Sequence, residues 1–192
     1  MGDAQGLLTD KERQTLLRLA RYVLERFVQE GIGRFPLASL TMFEITETLR
    51  RPSGVFVTYH RQGRLRGCIG NILPSEPLFQ AVVENAMHSA AHDPRFAPVD
   101  PEEVAGIRIE ISVMSPLIPV GELTEIEVGR DGLILQASGR TGVFLPQVPV
   151  ECGWDKTQYL EQLGLKAGLD IGAYLRKDAR LQRFTAQVFS EP

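Results

Sequence analysis

A chain of 192 residues with 43% hydrophobic and 23% charged residues has the make-up of an ordinary globule, which excludes a disordered polar chain and a fibrous repeat. It is long enough for one core, or for two lobes sharing one, and a chain of this size buries about 70% of its unfolded surface. The formal net charge of -3 supplies no general attraction for nucleic acid or anionic lipid, so neither is expected as a partner.

Cys68 and Cys152 are the only cysteines. They are too few for a secreted disulfide scaffold and too far apart for a structural zinc site, so a reduced, cytoplasmic setting is expected. The opening "MGDAQGLLTDKERQ" turns polar too soon for a leader, and no stretch approaches the roughly 18 apolar residues of a membrane span. Gly6 stands where a myristoylation pattern prefers serine or threonine.

"TDKE" at 9–12 reads as a capping box, and Leu16, Leu17, Leu19, Ala20, Val23, Leu24, Phe27 and Val28 follow at helical spacing, which predicts an amphipathic helix to about Gly31. The polar, proline-bearing stretch up to Pro52 carries no firm signal. "GVFVTYH" at 54–60 is rich in strand formers, and "RQG" offers a turn into "RLRGCIG", with Gly63 suited to a positive φ. This hairpin is expected to deliver Cys68 to an edge or rim. A helix follows in "PSEPLFQAVVENAMHSAAHDP", with Ser75 as a cap, Leu78, Phe79, Val82, Val83, Ala86, Met87 and Ala90 facing inward, and Pro94 as its stop.

Ile107, Ile109, Ile111 and Val113 alternate with polar or small residues as a half-buried strand does, and Pro116 and Pro119 interrupt it. Asp131-Gly132 reads as a hairpin turn between Val128 and Leu133. "GVFLP" is extended, Asp155 caps a short helix, and Gly164 or Gly168 marks its end or a break. "RLQRFTAQVFS" at 180–190 is expected as one strand with Phe184, Ala186 and Val188 on one face. Strands joined largely by hairpins and separated by helices predict an α+β fold with mostly antiparallel sheets and packed helices, rather than a doubly wound parallel sheet. "GRDG" and "GRTG" have the spacing of neither a P-loop nor a dinucleotide fingerprint, and no cofactor is expected.

Five separated stretches share one resemblance: "LRGCIG" at 65–70, "DPRF" at 93–96, "FLPQV" at 144–148, "GW" at 153–154 and "KAGL" at 166–169. In this order they resemble the AMMECR domain family, including its AmmeMemoRadiSam system protein A branch, over about residues 10–189. The resemblance implies a single α+β domain with larger and smaller lobes flanking a cleft near the hexapeptide, and the segment around 54–100 is expected in the smaller lobe. It also implies partnership with a Memo-like protein and a radical SAM protein. It implies no established reaction. The family commonly has a cysteine shortly before KAGL, where this chain has Gly164, and Cys152 does not stand at that position.

Cys68 has two readings. Arg64 and Arg66 favour a thiolate, Gly67 admits close approach of the backbone, and the amides of Ile69, Gly70 and Asn71 form an anion cradle; on that reading Cys68 reacts with an alkylating agent before Cys152. Alternatively it is a core cysteine beside a tight turn. His88 and His92 are four residues apart and share a helix face; His92, oriented by Asp93, is the candidate base for Cys68. Asp93 pairing with Arg95 to hold the chain is the structural alternative, as is Arg95 with Glu76. "HSAAH" lacks the glutamate of the zinc-protease helix motif, His60 is a weak further ligand, and no metal site is assigned. Arg66, Gly67, Gly70, Arg95, Gln147 and Lys166 are candidate contacts for a small anionic ligand, with Trp154 lining a cleft or filling a core. The function expected is an accessory or binding protein, with a thiol-dependent modifying enzyme acting on a small anionic or protein substrate as the alternative.

Overall fold

The computed structural model describes residues 8–31 and 35–192. The helices are α1 (Asp10–Glu30), α2 (Glu47–Arg50), α3 (Leu78–Ala91), α4 (Gln147–Glu151) and α5 (Lys156–Lys166). The strands are β1 (Val55–Arg61), β2 (Arg64–Asn71), β3 (Ile107–Met114), β4 (Ile118–Pro119), β5 (Gly132–Ala137), β6 (Arg140–Phe144), β7 (Arg180–Phe184) and β8 (Ala186–Ser190). They form two four-stranded sheets, ordered β2-β1-β3-β8 and β4-β7-β5-β6. The pairings of β1 with β2 and β3, and of β5 with β6 and β7, are antiparallel, which establishes the α+β class. By contact the chain divides into a unit of Met1–Met114 with Gln187–Pro192 and a unit of Ser115–Ala186. The 54–100 segment, expected in a smaller lobe, belongs to the longer of these units.

In the longer unit, α1 begins at the predicted capping box: Glu12 N–H donates to Thr9 Oγ1 and Thr9 N–H to Glu12 Oε2. It ends at Gly31, whose φ of 64° places it in the left-handed region. Leu16, Leu19, Val23 and Leu24 from α1 are fully buried with Val82 and Ala86 of α3 and Val55, Val57, Tyr59, Ile109 and Ile111 of β1 and β3. Each such aliphatic side chain contributes about 1.5–3 kcal/mol through burial. Tyr59 satisfies its hydroxyl by donating to Ala86 O at 2.7 Å, and burial pushes its ionisation well above the ordinary phenol range. Ser75 does not cap α3: Pro77 holds the cap position without a side-chain bond, and Leu78 N–H donates instead to Arg51 O. The undeciphered stretch before Pro52 contains a 3-10 turn, Leu37–Leu40, and α2, which is capped by Thr46. Glu191 ties the chain end back to the core, accepting from Arg21 and from Ile109 N–H.

In the shorter unit, α5 packs Tyr159, Leu160 and Leu163 against Leu133 and Leu135 of β5. Asp155 caps α5 as predicted, accepting Gln158 N–H at 2.9 Å. Gly168, with φ 70°, follows the helix end, whereas Gly164 lies within the helix. Two expectations fail. Asp131-Gly132 is not a hairpin turn; Asp131 is fully buried and accepts from Glu127 N–H and from the Arg130 guanidinium, while Gly132 opens β5. The hairpin turn lies at Ser138-Gly139, with φ values of 50° and 72°, the backbone of a two-residue tight turn. "RLQRFTAQVFS" is two strands in different sheets, parted at Thr185, whose N–H donates to Ser115 Oγ and whose carbonyl accepts Ser115 N–H.

Candidate functional site

Within the longer unit, the first two motifs converge on Cys68. Its strand β2 is the sheet edge, where backbone groups would otherwise face outward unpaired. The Cys68 N–H donates to Asp93 Oδ2 at 2.8 Å, and Arg95 Nη2 donates at 3.4 Å to Cys68 O. Arg95 also grips the same carboxylate, Nε to Oδ1 at 2.9 Å and Nη2 to Oδ2 at 2.7 Å, with its own N–H on Oδ1. These bonds from Arg95, with the Cys68 amide and against burial, hold the Asp93 carboxyl far below the usual carboxylate range. Asp93 is buried, its side chain 2% exposed, whereas that of Arg95 is 53% exposed.

Gly67 is required by the neighbour of β2. A Cβ there would lie 2.2 Å from Ser89 O on α3, so only glycine lets helix and strand meet. Ser89 then bridges the hairpin: its hydroxyl donates to Val57 O and accepts Ile69 N–H, the two residues being register partners. The Ile69 amide is therefore spent on Ser89, and the expected anion cradle lacks it. Gly70 is equally constrained, with a Cβ falling 2.4 Å from Phe56 and Val55 O.

Cys68 is half-buried and Cys152 exposed, both as free thiols. The thiol sulfur accepts from Thr58 Oγ1 at 3.2 Å, Thr58 being its register partner on β1. His92, the expected base, is exposed at the end of α3; its N–H donates to His88 O and its ring sits edge-on to His88 at 5.4 Å. None of the Asp93 bonds goes to His92, so the carboxylate orients the Cys68 backbone rather than an imidazole. His60 faces Glu110 at 3.8 Å. Among the described residues no three His, Cys, Asp or Glu side chains gather as a metal site would require.

Arg66 is engaged by Glu103, a residue the sequence reading did not single out. Its Nε and Nη2 donate to the two carboxylate oxygens at 2.9 and 2.7 Å, and this fork takes the Glu103 carboxyl down to about 2. Arg61 donates to the same carboxylate. Phe96 stands by both guanidinium groups, 5.8 Å from Arg66 and 5.5 Å from Arg95 at the ring centroid. The result is an aromatic ring flanked by two arginines, each pinned by its own carboxylate.

The other three motifs meet inside the shorter unit. Phe144 sits edge-on to Trp154 at 5.4 Å, and Lys166 Nζ lies 5.7 Å from the Phe144 centroid. Gln147 is the first residue of α4, behind Pro146. Gly164 has a packing reason: a Cβ would fall 2.4 Å from Asp170 O, so a cysteine at this position would require the loop after α5 to move.

No helix among the described residues is long and apolar enough to cross a membrane. Among curated proteins, the chain is 42% identical over 194 residues to a protein of Thermococcus gammatolerans, covering 96% of this chain and 92% of that one. Protein TK0174 of Thermococcus kodakarensis is 41% identical with the same coverage. The crystal structure of uncharacterized protein PH0010 from Pyrococcus horikoshii is similar with a TM-score of 0.74 at 38% identity, covering 92% of this chain and 89% of that one. The AMMECR1 family model matches residues 17–189, and with the five motifs gathered in two clusters the chain belongs to the AMMECR1 family.

Proposed function

We propose that this chain is a cytoplasmic accessory protein of a Memo-like and radical SAM system, binding an acidic segment of one of those partners at the Arg95–Phe96 rim beside Cys68. The observation that carries the reading is the allocation of Asp93: its carboxylate is spent on the Cys68 amide and the Arg95 fork, so Cys68 has no base from that side, while Arg95 stays half exposed. A guanidinium already fixed on one edge loses little side-chain freedom when a partner carboxylate takes its remaining donors. Arg66 supports the same surface, its guanidinium 5.8 Å from the Phe96 centroid, and Gly67 and Gly70 set the strand close to the helix and to β1. Gln147 and Lys166 are further candidate ligand contacts in the shorter unit.

The second reading, a thiol-dependent modifying enzyme acting on a small anionic or protein substrate, is favoured by the Thr58 hydroxyl donating to Cys68 Sγ. Titration with the purified Memo-like and radical SAM proteins separates the two. Arg95→Ala is expected to weaken binding by about tenfold or more, the scale of a charge-assisted hydrogen bond. Absence of binding to both partners by the folded chain, or equal binding by Arg95→Ala, contradicts the proposal.

A further inference from the structure

In the shorter unit, the tip of the β5–β6 hairpin borders a concavity of about 460 Å3 lined by residues 136–141 with Asp178 and Arg180, none of which belongs to the five motifs. The strand register explains its chemistry. Gln136 pairs with Thr141 on β6 and with Arg180 on β7, so Thr141, Gln136 and Arg180 form one row across three strands on one face of the sheet. The row offers a hydroxyl, an amide and a guanidinium, all donors to oxygen.

The acidic groups nearby are already spent. Asp178 accepts the Ser138 N–H at 2.8 Å and the Ser138 hydroxyl at 3.0 Å, which fixes the tight turn at the rim. Asp170 is paired with Arg176, and Arg176 also donates to Ser138 Oγ. Arg180, in contrast, has no carboxylate partner among the described residues, whereas Arg183 on the same strand faces Asp131 and Glu125. Arg140, the other arginine of the lining, donates to Gly168 O. The concavity thus carries an uncommitted cation in a chain whose net charge is -3.

We propose that this concavity binds a small oxyanion-bearing molecule, its phosphate or carboxylate oxygens taken by the Arg180 fork, the Thr141 hydroxyl and the Gln136 amide. A planar guanidinium fork matches two oxygens of either group. The concavity is open to solvent and wider than a bare phosphate, which leaves room beside the anion for an attached organic group.

The test is a titration of the full chain followed by amide resonances, with inorganic phosphate in one arm, succinate in a second and sodium chloride at matched ionic strength in a third. Saturable shifts at residues 136, 141 and 180 with phosphate or succinate, and none with chloride, are expected; the stronger arm identifies the anion. Arg180 is exposed, so Arg180→Gln keeps the fold, and it is expected to weaken binding by about tenfold or more, with Thr141→Val weakening it less. No saturable shift with either anion, shifts matched by chloride, or undiminished binding by Arg180→Gln would overturn the proposal.

Discussion

Asp93 holds the backbone of Cys68, not its sulfur: the carboxylate accepts the Cys68 amide at 2.8 Å, and the sulfur turns to Thr58. The aspartate and the arginine two residues beyond it act together as a stand-in for a neighbouring strand, one accepting the N–H of Cys68 and the other donating to its carbonyl. An edge strand covered in this way is less open to pairing with other chains.

Removing this clasp should loosen the β2 edge. Asp93→Ala leaves the Cys68 amide without its acceptor and Arg95 without its partner, and is expected to cost about 2–3 kcal/mol in urea unfolding, as for a hydrogen-bonded buried carboxylate with a half-exposed partner. A loss below about 0.5 kcal/mol would show that solvent replaces these bonds at little cost.

Acid should act through the same carboxylates. Arg95 lowers the ionisation of Asp93 and Arg66 lowers that of Glu103, the latter to about 2, so their stabilisation is complete above the ordinary carboxylate range and is lost as pH falls toward the folded-state values. Stability measured against pH should therefore drop on the acid side, and Glu103→Gln should flatten part of that slope between the ordinary glutamate range and about pH 2. An unchanged slope in that variant would remove Glu103 from the account.

Gly67→Ala should be far more damaging than its size suggests. The added methyl would sit 2.2 Å from Ser89 O, a backbone atom that cannot turn aside, and the expected cost is about 3 kcal/mol. Gly63 has open space around its Cβ position, so Gly63→Ala carries only the strain of its φ of 72°, about 1 kcal/mol. Equal losses in thermal unfolding of the two variants would contradict the contact.

The thiols should react in the order of their exposure. Cys152 is exposed and Cys68 half-buried with its sulfur bonded to Thr58, which reverses the order that the glycines and arginines around Cys68 imply. Alkylation mapped by mass should label Cys152 first in the native chain and both equally after unfolding. Faster labelling of Cys68 would favour the enzymatic reading.

Local chemistry made much of this fold legible, and long-range packing hid the rest. The capping residues Thr9 and Asp155 and the turn at Gly63 are each announced by neighbours a few positions away. Counting from that turn, however, puts Cys68 opposite Val57; a register shift between Tyr59 and His60 moves it opposite Thr58. No residue type there signals the shift, so the hydroxyl on the sulfur was out of reach of the sequence. Glu103 was hidden for a related reason, since it meets Arg66 from 37 positions away. Asp131 misled because aspartate before glycine reads as a turn, and only its burial beside Arg130 shows another purpose. The alternation through Thr185 continued across a change of sheet, which a period-two pattern does not register.

Recognition without thiol chemistry is tested by comparing Cys68→Ser with Arg95→Ala in one assay that records both binding of the Memo-like and radical SAM proteins and any product formed. Cys68→Ser is expected to bind as the unaltered chain does and Arg95→Ala about tenfold or more weakly, with no product that depends on Cys68. A product that disappears with Cys68→Ser while binding persists would contradict that expectation and establish the cysteine as a catalytic residue.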